Sequence, residues 1–398
     1  MFNRDRLRYA QNKLGRAFDH GTAAGIPLRI LILGGGIAGM AFAIRARSAG
    51  MDVAIVEADP DWRVAGAGIS ITGPTYRALK RIGLLPDVKQ AGFFIAKGAL
   101  ICAADGTPVG EVPTQALEPD LPTAGGILRP ELHRILSQKV SALGVPVRLG
   151  VTARTLADSG EAVDVEFSDG SKDSFEIVIG ADGAFSATRE MLFPEAPVPQ
   201  YTGQFCWRLL ARRPAEIDRP LFFVGADLTC GLMPVSQDQM YLWLLENSPE
   251  RRYLDEAAVP GRLKQMLAPF GGRAIAAVRE AIDAGAPIIA RPLDALLLPL
   301  PWHKGRVMLI GDACHATTPH LASGAGIAIE DGMLLADMLG EGGDPEHVFD
   351  RFEARRWERC RLVVEESVGI GHMQQTHADP AELNARMSRA QAALARDI

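Results

Sequence analysis

The chain has 398 residues, 47% of them hydrophobic and 23% charged, which is enough to bury one large core or two coupled domains. A net charge of -6, with no dense basic stripe, argues against a nucleic-acid partner. Five scattered cysteines without a C-x-x-C pair exclude a disulfide framework and a structural zinc site and point to a reducing, cytoplasmic setting, and no apolar run reaches the roughly 18 residues of a membrane helix.

Residues 1–27 include Arg4, Arg6, Arg8, Lys13 and Arg16 but no long apolar segment of a secretory signal, so they read as an extension ahead of the first strand. Leu28–Leu33 is a short apolar run broken only by Arg29, as expected of a buried parallel strand. Gly34, Gly36 and Gly39 then fill G-x-G-x-x-G. Ala38–Ala49 reads as a helix closed by Gly50, and a second strand over Val53–Val56 ends at Glu57. Gly34 permits the tight turn from strand to helix. Gly36 lets the backbone approach a pyrophosphate, and Gly39 lets the helix pack on the strand. The N–H groups near Ile37 and Ala38 face the phosphates, and Glu57 takes two ribose hydroxyls. The unit predicts a dinucleotide site without choosing between NAD and FAD.

Further along, Gly98–Pro113 makes an excursion, and "ILRPELHRIL" (Ile127–Leu136) carries Arg129. "FEIVIGADGAFSATR" (Phe175–Arg189) is a strand ending in an Asp182-Gly183 turn, with Ser186 and Arg189 behind it. Phe205–Pro214, Pro220–Gly225 and Gln239–Asn247 are rich in aromatic and β-branched residues between proline and glycine breaks, which predicts a second, antiparallel sheet. In Gly305–Gly332 a strand over Val307–Ile310 delivers Gly311-Asp312 to its carboxyl end, followed by a proline-containing loop and a small-residue helix start. A carboxylate there suits a polyol hydroxyl, and small residues let helix N–H groups face a flat anionic ring. Glu346–Ser367 and Pro380–Arg396 read as charged amphipathic helices, with faces for packing on the chain or for a homodimer.

Three motifs in this order, G-x-G-x-x-G at Gly34–Gly39, D-G-x-x-S-x-x-R at Asp182–Arg189 and G-D-x-x-H at Gly311–His315, are joined by Pro319–Gly326 and Ile329-Glu330-Asp331. Together they resemble the single-component FAD-dependent aromatic hydroxylases, the class A flavoprotein monooxygenases that include p-hydroxybenzoate, salicylate and 6-hydroxynicotinate hydroxylases. The resemblance runs from Leu28 to about Leu339. It implies an α/β fold: a Rossmann-like FAD-binding domain, a second antiparallel β-sheet substrate domain and C-terminal helices. The expected division is an extension over 1–27, an FAD-binding domain of 28–97 with 129–190 and 291–340, a substrate domain of 98–128 with 191–290, and C-terminal helices over 341–398.

The resemblance implies FAD as cofactor, NADH or NADPH and dioxygen as co-substrates, and hydroxylation of a small activated aromatic or N-heteroaromatic through a flavin hydroperoxide. By it, Gly36, Ile37 and Ala38 line the pyrophosphate beside Gly34 and Gly39, and Glu57 takes the adenosine ribose. Arg129 sits near the phosphate and ribityl portion, Asp312 holds a ribityl hydroxyl, and Gly324, Ala325 and Gly326 contact the flavin. Asp182 with Gly183 belongs to the pyrophosphate region or to the nicotinamide path. Ala322-Ser323 stands where many members carry glycine-glutamine, and Gly66 where some carry arginine, so those contacts are not carried over.

Pro319 and His320 are the catalytic candidates, His320 either as acceptor of a phenol proton or as a prop of the loop. His315 reads as structural. His315, His320 and Cys314 do not suggest a metal site, because Pro319 breaks the geometry and no further ligand lies nearby in sequence. Trp207, Tyr201, Cys206 and Trp243 are candidates to line the substrate pocket, with Arg208 for a substrate carboxylate; core packing and a surface ion pair are the competing roles. Two other readings stand beside the hydroxylase: a related flavin enzyme of the same fold, such as a quinone-pathway hydroxylase or reductase, and a dinucleotide-binding regulator without turnover.

Overall fold

The strand Arg29–Leu33 occupies the inside of a six-stranded sheet, ordered His303–Lys304, Val307–Leu309, Ile177–Gly180, Arg29–Leu33, Asp52–Glu57 and Val147–Leu149. All pairings are parallel except the His303–Lys304 edge. The computed structural model describes residues 28–398 apart from 65, 96, 113–115 and 226–227; the expected extension over 1–27 lies outside the described residues. Register aligns Leu33 with both Val56 and Gly180, and Gly180 with Leu309. Gly34, Glu57, Asp182 and Asp312 therefore emerge at one carboxyl edge, where open α/β sheets bind ligands.

The helix Ile37–Ser48 packs on the helix Gly324–Gly340. Gly332 makes this close, since a Cβ there would stand 2.5 Å from the Phe42 amide nitrogen. Both helices are lined by small residues and lie deep in the main core.

The second sheet has seven strands: Ile288–Ala295, Gln200–Arg212, Gln239–Asn247, Thr229–Pro234, Leu221–Val224, Ala99–Ala103 and Pro108–Val112. It is antiparallel apart from the Leu221–Val224 and Ala99–Ala103 pair. Alternation assigns its faces. Phe205, Trp207, Leu209, Leu242 and Leu244 form a core with residues of the helices Val259–Leu267 and Gly272–Asp283. Cys206, Arg208, Tyr241 and Trp243 fall on the other face. A three-stranded sheet, Gly68–Thr72, Ala124–Leu128 and Phe93–Ile95, bridges the two larger ones. Its glycines allow the approach: a side chain on Gly68 would collide with the Tyr241 ring, and one on Gly126 with the Pro234 carbonyl.

The helix expected over Glu346–Ser367 runs on as Pro345–Gln375, started by Asp344, whose carboxylate accepts from the His347 amide. Gly369 and Gly371 do not end it, because neighbours use the space they leave: the Arg386 guanidinium over Gly369, and His320 with Gln204 over Gly371. The last helix, Pro380–Ala395, is capped by Asp379.

Candidate active site

The glycine loop is built as its spacing suggests, each glycine for a separate reason. Gly34 has φ +109°, and a Cβ there would strike the Ala181 carbonyl. One on Gly39 would strike the Gly34 carbonyl, so this residue sets the helix-to-strand distance. Gly36 differs: nothing lies within 4 Å of the Cβ it lacks. Its bareness serves no contact inside the protein and leaves room for a ligand. The helix behind it starts with neither a side-chain cap nor an acidic residue in its first turn, so its first N–H groups lack intrahelical partners and suit an anion. Glu57 is oriented by the Gly35 amide at 2.8 Å and the Asp59 amide at 2.9 Å.

A second uncapped helix faces the same edge. Gly324–Gly340 begins at Ser323, whose hydroxyl turns away and donates to the Leu321 carbonyl at 2.8 Å. Gly326 is forced, since a Cβ there would collide with Thr75 Oγ1. Ala322 sits at φ +49°, a conformation that favours glycine.

The turn carrying Asp312 is fixed from beneath. Asp331 accepts from the Gly311 amide at 2.9 Å, from Arg356 Nε at 2.7 Å, and bonds His315 Nε2 at 2.6 Å. Arg356 also reaches Glu330, which Arg359 holds as well. All of these but Arg359 are almost fully buried. Burial opposes the charge on Asp331, yet His315 and Arg356 hold its pKa down to about 2, while the carboxylate helps keep His315 protonated well above its usual range. His315 is thus held beneath the turn, fully buried and bonded to Asp331. Asp312 opens onto the cleft, has no hydrogen-bond partner among the described residues, and has its pKa raised by the protein crowded around it, with His315 and Arg129 opposing.

Arg129 starts the helix Arg129–Ala142, and Arg208 comes from the seven-stranded sheet. The buried Nε of each has no partner, and neither forms an ion pair among the described residues. Burial first, then Arg208, lowers the pKa of Arg129, with Asp312 the opposing carboxylate. Two like charges gathered under burial cost free energy unless an anion joins them. Gly66, at φ +143°, lies against the Arg129 side chain, and a Cβ there would stand 2.5 Å from its Cδ.

Three expected site residues have other work. Trp207 and Tyr201 do not line the cleft. Trp207 is fully buried in the back-face core and donates to Glu246 at 2.9 Å, while Tyr201 donates to the Ser248 carbonyl at 2.7 Å and meets Phe205 edge-on. Both follow from the two-residue period, shifted at the bulge between Tyr201 and Phe205. The Asp182 carboxylate is engaged locally, accepting from the Ser186 hydroxyl and twice from Thr188, and so braces the start of the short helix Ala187–Leu192, whose cap is Ser186. Arg189 completes the lock by donating to the Ala313 and Ala184 carbonyls at 2.9 Å.

His320 lies in the expected loop, with Nδ1 2.8 Å from Thr318 Oγ1. Its Nε2 is buried without a partner, and burial pushes its pKa down to about 4. Its ring packs on Gly371 of the long helix. Sequence reasoning missed Tyr241, which bonds Ser70 at 2.8 Å beside Arg208, and Trp62, which donates to the Gly35 carbonyl at 2.8 Å. The alternation in "QMYLWLLEN" places Tyr241 on the same face as Trp243, a signal sufficient to find it.

The open space over Gly36, two uncapped helix starts, an unpaired carboxyl at Asp312 and unpaired guanidinium nitrogens fit FAD. A family model for the FAD binding domain matches residues 28–367. The chain is 30% identical over 355 residues to 2-heptyl-3-hydroxy-4(1H)-quinolone synthase of Pseudomonas aeruginosa (strain UCBPP-PA14), spanning 87% of this chain and 90% of that one. It is 28% identical over 346 residues to 6-hydroxynicotinate 3-monooxygenase of Bordetella bronchiseptica, spanning 84% and 89%. The crystal structure of Klebsiella pneumoniae HpxO complexed with FAD and uric acid superposes with a TM-score of 0.77 at 23% identity, covering 93% of each chain. No helix among the described residues is long and apolar enough to cross a membrane. The chain belongs to the FAD binding domain family, among its FAD-dependent monooxygenases, and FAD is its cofactor.

Proposed function

We propose that the protein hydroxylates an electron-rich phenol or nitrogen heteroaromatic held between bound FAD and the inner face of the seven-stranded sheet. The observation that carries this reading is the approach of Arg129 and Arg208, two half-buried arginines from the two sides of the cleft, each with a buried Nε that has no hydrogen-bond partner. Arg129 answers to the cofactor. Arg208 answers to the ionised oxygen or carboxylate of a substrate.

Bound FAD would supply the redox chemistry, in which two electrons from NAD(P)H and dioxygen place one oxygen atom on the ring and release the other as water. The chain's own residues do the rest. Glu57, the amides after Gly36 and Asp312 bind and orient the cofactor. Arg208 stabilises the anionic form of the substrate and so enriches its ring in electrons, while the sheet above excludes water. Pro319 and His320 shape the loop against the flavin, with His320 neutral at physiological pH.

The division of labour is part of the reading: 28–97 with 129–190 and 291–340 hold FAD, and 98–128 with 191–290 face the substrate. The pairing of Ala124–Leu128 with Gly68–Thr72 supports counting that strand with the first group, and the pairing of Ile288–Ala295 with Gln200–Arg212 supports counting that one with the second. A cytoplasmic location belongs to it too, in keeping with five free buried cysteines.

The test is a screen of phenols and hydroxylated nitrogen heteroaromatics for stimulated NAD(P)H oxidation, run under 18O-labelled dioxygen. A product carrying one labelled atom supports the reading. Label arriving from water, or oxidation indifferent to every aromatic, overturns it.

A further inference from the structure

Beyond Arg208, the inner face of the seven-stranded sheet continues outward from the cleft and changes character. The register places Trp243 opposite Arg208 on one side and Gly231 on the other, with Phe222 opposite Gly231 and Ile101 opposite Phe222. Leu245 and Val224 belong to the same face, since Leu245 pairs with Thr229 and Val224 with Thr229. All of these side chains except Val224 are half-buried, and Val224 is 52% exposed. None belongs to the back-face core. Gly231 has a particular part: any side chain there would collide with the indole of Trp243, so the ring lies over the bare glycine, edge-on to Phe222 at 5.8 Å. Glycine within a strand is otherwise a cost. Here it clears space for an aromatic platform whose free side faces away from the sheet.

The face is amphipathic along its length. Cations stand at one end, Arg208 and also Arg291, which is exposed and pairs in register with Cys206. At the other end, across Trp243, the side chains are apolar apart from half-buried Thr229, and the most exposed of them is Val224. We propose that this strip is the binding site for an apolar chain or ring appended to the substrate, laid along Trp243, Phe222, Leu245 and Val224, with the anionic head at Arg208. This rests on the hydroxylase reading and narrows its substrates to amphipathic heteroaromatics. Continuity with the cleft and the one-ended charge favour such a ligand over a second copy of the chain, which has no need of cations at the inner end.

The experiment uses the FAD-loaded full chain and a series of 2-alkyl-4-hydroxypyridines from methyl to nonyl. Dissociation constants are read from the change in the flavin absorption spectrum on mixing, without turnover. Affinity should rise about two- to fourfold per methylene up to the length of the strip and then level off. Val224→Asp and Gly231→Ala should each flatten that rise while leaving affinity for the methyl compound nearly unchanged; the first is a surface change that the fold tolerates even if the second is not. Dissociation constants independent of chain length, or a slope unaltered by Val224→Asp, overturn the proposal. A dimer in sedimentation that Val224→Asp splits into monomers overturns it as well, in favour of a second copy. Short phenols that still stimulate labelled hydroxylation would leave the hydroxylase reading standing while the tail site falls. A flavin spectrum indifferent to every aromatic, with no stimulated oxidation, removes both.

Discussion

Asp331 bonds Nε2 of His315 and the amide of Gly311 through the same carboxylate oxygen, at 2.6 Å and 2.9 Å. One buried anion thereby shapes the turn that carries Asp312, and Arg356 balances its charge. Asp331→Asn leaves two buried cations with weaker support, which should cost about 3–5 kcal/mol and release FAD. Loss of bound flavin, read by its fluorescence, together with a lower melting temperature, is the expected result. The pH dependence follows from the signs. Asp331 is depressed from its ordinary 3.8 to about 2, so its contribution is present above pH 3.8 and lost as pH falls through about 2. His315 is raised, so its contribution is present below its ordinary 6.5 and fades only as pH climbs through its elevated value. Flavin release in acid should therefore fall between about pH 4 and about pH 2, with no matching step near neutrality.

Gly36→Val separates ligand binding from folding. The backbone there, φ -79° and ψ -172°, suits any residue, and no protein atom lies within 4 Å of the added Cβ. The apoprotein should melt as the wild type does, while FAD binding disappears through collision with the pyrophosphate. Gly39→Ala should instead damage the apoprotein, because its new methyl meets the Gly34 carbonyl. Differential scanning fluorimetry of both variants without flavin, beside FAD titrations, checks the contrast. Full FAD occupancy in Gly36→Val would remove the pyrophosphate from this turn.

The cofactor half of the site was largely legible in the sequence because its signals are local. Gly34, Gly36, Gly39 and Glu57 fall within one strand–helix–strand unit, and Gly311 follows directly on its strand. The substrate half was not, because it depends on which way a strand faces. Trp207 and Trp243 look alike in sequence, yet strand alternation sends one into the core and the other to the opposite face of the sheet. Facing becomes fixed only when the helices Val259–Leu267 and Gly272–Asp283 choose a side. The Asp182 motif is ambiguous in sequence for a related reason. Its carboxylate accepts from Ser186 and Thr188 at the start of the next helix, and the same residue spacing serves a local brace or a ligand.

Arg208→Met should act differently on the empty and the working enzyme. Removing one of two half-buried cations, whose Nε has no partner, takes away the charge that lowers the pKa of Arg129, so the apoprotein should be about as stable as the wild type. Substrate binding loses a charge-assisted hydrogen bond, a change of about 1.5–3 kcal/mol or roughly 10- to 150-fold in affinity. The expected signature is a raised KM for the aromatic, with more peroxide formed per NAD(P)H because a less activated ring captures oxygen slowly. An unchanged KM, together with tight coupling, would take Arg208 out of the substrate site.

His320→Ala distinguishes a proton acceptor from a prop. A general base contributes on the order of 10²–10⁴-fold and works best with a pKa near the working pH. Burial holds His320 at about 4, so the neutral ring is a weak base at pH 7. Its contacts are also those of a wedge: Nδ1 meets Thr318 Oγ1 at 2.8 Å, and its ring fills the space above Gly371, beside Gln204. The loss in kcat should therefore stay below tenfold, with FAD retained and the loop from Thr318 to Ala322 easier to cleave by protease. The wild-type kcat profile should show no inflection near pH 6.5 that the substitution abolishes. His320→Gln, which keeps a polar group of similar reach, should restore most of the coupling if the residue is a prop and none of the rate if it is a base. A loss above a hundredfold in His320→Ala, unrescued by glutamine and accompanied by a vanished pH inflection, would restore the histidine to the chemistry.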